Sequence, residues 1–265
     1  MILDWWVAEA SHRPEPWMAR AIHGVRLAEG MVGVQPSPGG VAALHRYFHR
    51  IEQAERDLAE AAQRDPESPE PYAWLLATAL TSGAEPDEIQ ARFAAVCARD
   101  SDHLQAHLLR LQSLGDHGDG HAALAFARGV GESMPRGHPL HVLIPCAYIE
   151  HWAWIRYLHG PETADAQLRV PGTFGELTAA YCRSGLGQDQ GSADSTILRR
   201  FAAGCFAAAF YLAGERAAAR ESLSKIGPWA SPYPWRYLQT QVRDHPDPGY
   251  VVDRLRSELH QGLSA

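Results

Sequence analysis

The stretch Leu58-Ala-Glu-Ala61-Ala62-Gln-Arg64-Asp65 returns thirty-five residues later as Phe93-Ala-Ala-Val96-Cys97-Ala-Arg99-Asp100. Both copies place apolar side chains on one helical face, end in Arg-Asp and lead into a short polar break. A period of this length holds one helix, a turn and a second helix. Such a unit cannot bury its apolar face alone and must stack on a neighbour. The copy therefore predicts an all-α fold made of paired helices.

Working outward, residues 41–64 carry Leu44, Tyr47, Phe48, Ile51, Ala54, Leu58 and Ala62 at steps of three and four, a long amphipathic helix. Toward the N-terminus, 3–11 and 15–30 read as helices separated by His12-Arg-Pro-Glu-Pro16. Toward the C-terminus, 70–81 follows a Ser68 cap, 86–99 opens on Pro86 with acidic Asp87 and Glu88, and 103–114 follows an Asp102 cap. Residues 121–131 and 139–158 continue the pattern, with Pro145 expected to kink the latter. Seven prolines and glycines between Pro161 and Gly191 then interrupt it, leaving only 174–183 helical. Helices resume at 195–213 and 215–226, with two more near 234–244 and 248–261. No strand alternation supports a sheet. The expected organisation is one continuous array: helical repeats over 1–159, an irregular insertion over 160–194, and further repeats over 195–265.

The 46% apolar fraction is enough for a core, and a net charge of −7 argues against a nucleic-acid partner or a membrane surface. No apolar run approaches the ~20 residues that span a bilayer. The opening Met-Ile-Leu-Asp4-Trp-Trp lacks the basic start of a secretion signal, so a cytoplasmic protein is expected, its two tryptophans anchoring the first helix. Cys97, Cys146, Cys182 and Cys205 form no Cys-x-x-Cys pair and read as reduced, mostly buried thiols. Fourteen histidines and eight tryptophans are the compositional hints of a site.

The segment 203–226 resembles a tetratricopeptide repeat. Ala203, Phe206, Ala207 and Phe210 take the packing positions of its first helix, Gly214 makes the turn, and Ala219, Leu223 and Ile226 take those of the second. Residues 70–99 match less fully, with Ile89 where an alanine is usual. The stretch from Leu111-Gln112 through Gly120-His121 to Phe126-Ala127-Arg128 resembles a segment of a group of uncharacterised bacterial proteins with tetratricopeptide-like helices. That group has a tryptophan and Gly-Ser-His in the turn. Here the turn reads Gly118-Asp119-Gly120-His121, so the tryptophan and the serine are absent. The resemblance implies a superhelix of α-α hairpins and carries no activity.

In arrays of this kind the first helix of each pair lines the concave face. The thirty-five-residue step makes 70–81, 103–114 and 139–158 first helices and puts Trp74, Leu109 and Ile144 in equivalent inward positions. His141, Ile144, Tyr148, His151 and Trp152 then form one stripe, a mixture of aromatic area and imidazole polarity that suits a ligand. The same stripe is also what an ordinary core between stacked helices requires. His45 and His49, one helical turn apart with Glu52 beyond, could face a metal ion, and His103 and His107 repeat the spacing. Packed or solvated histidines explain the same pairs. Gly185-Leu-Gly187 follows no strand and so is not a dinucleotide loop; Ser184 to Asp194 reads as a surface excursion or a flap. No Gly-x-Ser-x-Gly elbow occurs, no cysteine has an activating context, and Arg254 and Arg256 alternate with acids as a solvated face would.

The expected function is binding: a peptide or partner protein held on the concave face by Trp74, His141, Tyr148, His151 and Trp152. The rival is a biosynthetic enzyme enclosing a small hydrophobic substrate, with His141 or His151 as acid or base and a metal as a possible aid. The sequence names no cofactor.

Overall fold

Proline placement and capping decide where this chain becomes helical. The computed structural model describes residues 2–29, 40–116, 120–187, 196–228, 230–239 and 247–261, and no strand occurs among them. Their packing separates into two units, Met1–Ser113 and Leu114–Ala265. No helix among the described residues is long and apolar enough to cross a membrane.

The first unit holds α1 (Ile2–Glu9), α2 (Pro14–Glu29), α3 (Gly40–Arg64), α4 (Glu70–Ser82), α5 (Pro86–Cys97) and most of α6 (Leu104–Asp116). Pro14 and Pro86 open their helices, where the missing N–H would have had no partner anyway. The ring of His103 caps α6: its Nδ1 accepts the Ala106 N–H at 3.2 Å, taking the role expected of Asp102. Ala21 and Val25 of α2 pack on Ala54 and Leu58 of α3, with Trp74 at the margin. A second cluster joins Ala73, Leu76 and Ala79 of α4, Ile89 and Val96 of α5, and Ala106 and Leu109 of α6. Each large apolar side chain buried this way contributes roughly 1.5–3 kcal/mol. Leu44 and Phe48 on α3 and Trp5 on α1 are exposed instead, so Trp5 does not anchor its helix.

The two arginines of the repeated stretch make matching contacts. Arg64 bonds the Glu60 carbonyl at 2.6 Å, reaches back to the Ser11 carbonyl, and lies 4.7 Å from the Trp17 ring centroid. Arg99 bonds the Ala95 carbonyl at 2.6 Å and the Pro66 carbonyl at 2.6 Å, and lies 3.5 Å from the Tyr72 ring. Each guanidinium therefore closes the end of its own helix, holds the connection that leads into the preceding helix and covers an aromatic ring. Between α2 and α3, Asp57 is almost fully buried and takes both Nε and Nη2 of Arg20 at 2.8 Å, with Gln53 Nε2 adding a bond at 2.9 Å.

The second unit holds α7 (Gly120–Ser133), a 3-10 turn (Pro139–Val142), α8 (Leu143–His159), α9 (Pro161–Leu168), α10 (Pro171–Arg183), α11 (Thr196–Leu212), α12 (Arg216–Ser224), a short α13 (Pro232–Trp235), a second 3-10 turn (Arg236–Leu238) and α14 (Pro248–Gln261). α7, α9, α10 and α11 all pack against α8. Residues 141–150 are accordingly buried on every side, which explains a helix start that is apolar all round. Pro145 does not interrupt α8. It is the third residue after the 3-10 turn, where its absent N–H belongs to the helix's unpaired first turn. α11 and α12 form a hairpin through Gly214 (φ 83°), a left-handed position that favours glycine. Ala203, Phe206, Ala207, Phe210, Ala219, Leu223 and Ile226 are all buried in it.

Two expectations change here. Residues 161–168 are helical rather than irregular, and the helix expected over 174–183 begins earlier, at Pro171, because Pro161 and Pro171 start α9 and α10 instead of breaking the chain. The helix expected near 234–244 is a pair of short turns over 232–238, and 240–246 lies outside the described residues. Ser184 to Gly187 is a turn with Leu186 buried, and the rest of the expected flap, 188–194, also lies outside them.

Candidate functional site

The pattern that makes α8 a core helix also sends its last turns outward. Trp152 and Arg156, four apart on α8, face Pro161 and Asp165 of α9 and Arg169, the residue that caps its end. Tyr211 and Leu212 at the end of α11, Gly214, Arg216 at the start of α12, Leu238 and Arg254 of α14 complete a solvent-open cleft of about 570 Å³. Trp152 and Leu212 are almost wholly buried in its floor, while Arg169 and Arg216 stand exposed at its rim.

Four guanidinium groups and one carboxylate, Asp165, line this cleft among the described residues. Asp165 is fully engaged: its Oδ1 accepts the Trp152 Nε1–H at 2.9 Å and its Oδ2 accepts Arg169 Nη2 at 2.8 Å. Arg156 is held by the Tyr237 carbonyl at 3.2 Å and lies 5.0 Å from the Trp152 ring. Arg216 donates to the Glu258 carbonyl at 2.6 Å and Arg254 to the Leu238 carbonyl at 2.8 Å. The Glu258 carboxylate stands 3.7 Å from Arg254 Nε and accepts the Tyr211 hydroxyl at 2.8 Å. Burial, helped by Glu258, pushes the Tyr211 hydroxyl up to about 12, so it stays a neutral donor. Backbone carbonyls orient Arg156 and Arg216 without cancelling their charge. Among the described residues the cleft lining therefore holds more basic than acidic side chains, on a chain whose net charge is −7.

The residues expected to form a site are placed as follows. Trp74 is half-buried in the first unit, with the Arg26 guanidinium 5.3 Å from its ring centroid. In the second unit, His141 lies in the 3-10 turn before α8 with no exposed surface, its Nε2 2.9 Å from the Pro135 carbonyl. Its Nδ1 is buried without a partner among the described residues, and burial holds its imidazole below the usual histidine range. Tyr148 is buried and donates to Glu176 Oε2 at 2.7 Å. Arg128 grips the same carboxylate with two 2.7 Å bonds and holds it below the usual range, and burial with Glu176 pushes Tyr148 up to about 12. His151 is half-buried, 3.2 Å from Gln167 Oε1 and close to the His121 ring. Of the five, Trp152 lines the cleft; His141, Tyr148 and His151 take part in packing around α8 and do not line it.

His45 and His49 are exposed on α3, as is Glu52. Among the described residues no three His, Cys, Asp or Glu side chains come together in a way that could hold a metal ion. His107 is buried with its Nδ1 3.1 Å from the His103 carbonyl, so the second spaced pair shares a backbone contact. Arg254, expected on a solvated face, is half-buried in the cleft.

A buried polar cluster lies on the opposite side of α8's register. Glu150 accepts the Tyr237 hydroxyl at 2.9 Å, and Cys146, four residues earlier, lies beside Cys205 of α11. Burial raises the Cys205 thiol well above its usual range, which keeps it protonated and unreactive. The Tyr233 hydroxyl is buried beside Cys146 and is likewise pushed up by burial. This cluster has no activated nucleophile. The cleft arginines escaped sequence reasoning because they come from three helices and the cap of a fourth; the repeated spacing of 152/156 and 161/165/169 was the available signal.

No protein-family model, no curated protein and no solved structure matches this chain.

Proposed function

We propose that this is a helical binding protein, built from tetratricopeptide-like hairpins, that holds a peptide segment of a partner protein in the cleft of its second unit. The observation that carries the reading is the cleft itself: a solvent-open volume of about 570 Å³ with the Trp152 indole fixed in its floor by Asp165. An aromatic floor under a polar rim is a common peptide-recognition arrangement. The hairpin reading is supported by the matching contacts of Arg64 and Arg99 and by the buried α11–α12 pair. Four free cysteines, two of them adjacent in the core, support a cytoplasmic setting.

The cleft volume also falls within the ~300–1,000 Å³ typical of small-molecule sites. The rival reading, an enzyme enclosing a small hydrophobic substrate, draws on that size, but guanidinium groups around the rim suit such a substrate poorly. A peptide library selected against the purified protein tests the proposal. Selected binders should lose affinity for Pro161→Trp, which fills the cleft from an exposed first position of α9, while the variant keeps its melting temperature. Binders indifferent to that substitution would place recognition elsewhere.

A further inference from the structure

We infer that the cleft's ligand is an acidic peptide segment, its Glu or Asp carboxylates paired with Arg156 and Arg216. The inference rests on the reading of the cleft as a peptide site and adds the chemistry of the peptide.

Charge balance carries the argument. Asp165 accounts for Arg169 at 2.8 Å, and Glu258 stands near Arg254 at 3.7 Å. Arg156 and Arg216 have no carboxylate partner among the described residues; each is bonded to a neutral backbone carbonyl. A guanidinium carries five N–H donors, and one bond to a carbonyl both aims it and leaves donors for a ligand. Two oriented guanidinium groups in one cleft, Arg156 half-buried and Arg216 exposed, offer charge-assisted hydrogen bonds to an incoming carboxylate.

The surrounding chain narrows the class. With 24 basic against 31 acidic residues, the molecule as a whole repels an extended polyanion such as nucleic acid. Within the cleft the basic side chains outnumber the acidic ones, four to one among its described lining residues, so the complementary ligand is a short acidic segment. The cleft is open to solvent, which lets a chain enter and leave. Its floor of Trp152, Leu212 and Leu238 gives apolar area between the charges, which a peptide bearing leucine or an aromatic side chain among its acids would cover.

Fluorescence anisotropy with three probes tests this on the full-length protein: a fluorescein-labelled peptide alternating Glu with Leu, the same peptide with Gln for every Glu, and citrate as an unlabelled competitor. The acidic peptide should bind at least tenfold tighter than the Gln peptide, and its Kd should rise with ionic strength. Arg216→Gln, an exposed substitution that leaves the fold intact, should weaken the acidic peptide roughly three- to tenfold and leave the Gln peptide unchanged. Arg156→Gln should weaken it further. Equal binding of both peptides, abolished by Pro161→Trp, would overturn the acidic assignment while sustaining the peptide site. Citrate binding as tightly as the acidic peptide would overturn the peptide in favour of a small polycarboxylate. Binding of neither peptide, with no protection of α8 or α9 amides in hydrogen exchange, would overturn both readings.

Discussion

Asp57→Ala asks whether the charge inside the first unit is held there by its partners. The Asp57 side chain is 2% exposed and that of Arg20 is 24% exposed. Truncation removes the two guanidinium bonds at 2.8 Å and the Gln53 bond at 2.9 Å. Arg20 then keeps the exposed Asp4 contact, at 3.2 Å, and its place 5.3 Å from the Trp17 ring centroid. Deleting one partner of a buried ion pair costs about 3–5 kcal/mol, and the partial exposure of Arg20 lowers this to roughly 2–4 kcal/mol. For a unit of this size the melting temperature should fall by about 10–20 °C. Urea denaturation gives the magnitude, and hydrogen exchange should localise the loss to amides of α2 and α3. The double substitution Arg20→Met with Asp57→Leu removes both charges and fills the space, so it should recover most of the lost stability. A loss under about 1 kcal/mol, or a double variant no better than the single one, would refute the reasoning.

Other substitutions give equally definite outcomes. A Cβ at Gly120 would fall 1.6 Å from His151 Nδ1, so Gly120→Ala should destabilise by about 1–3 kcal/mol in thermal unfolding and become nearly harmless when His151 is also alanine. Trp152 is 4% exposed and bonded to Asp165, so Trp152→Ala should cost about 3–5 kcal/mol, whereas Trp152→Phe keeps the ring and should cost roughly 1–2 kcal/mol by denaturant titration. Burial lowers the imidazoles of His141 and His107 below 6.5, so the unfolded chain binds more protons than the native one in that range. Their contribution is complete above pH 6.5 and lost as the pH falls from there through the lowered native values; denaturation midpoints at pH 7.5 and 5.5 should differ accordingly, and a His141→Gln variant should show a smaller difference.

The long helices were legible because their apolar spacing and their terminators agree. In α3, Ile51, Ala54 and Leu58 mark the buried face, and in α11 Ala203, Phe206 and Phe210 do the same. α9 and the start of α10 were not legible, since Pro161, Pro171 and nearby glycines carry the same letters whether they break a helix or begin one. The site was legible only at Trp152. The histidine excess pointed away from it: His103 and His138 accept backbone N–H groups at helix starts, while His107 and His141 are packed inside. Arg156, Arg169, Arg216 and Arg254 have no common sequence spacing, and only the tertiary fold brings them around one volume.

The Cys146–Cys205 contact between α8 and α11 has an experimental use. Both sulfurs are sealed from water, whereas Cys182 is exposed on α10. An alkylating reagent should therefore consume Cys182 at once, half-buried Cys97 more slowly, and reach Cys146 and Cys205 only when α8 and α11 part. The delay between those modifications, followed by mass spectrometry, makes the sulfur pair a native stopwatch for how often the wall carrying Trp152 and Arg156 comes loose.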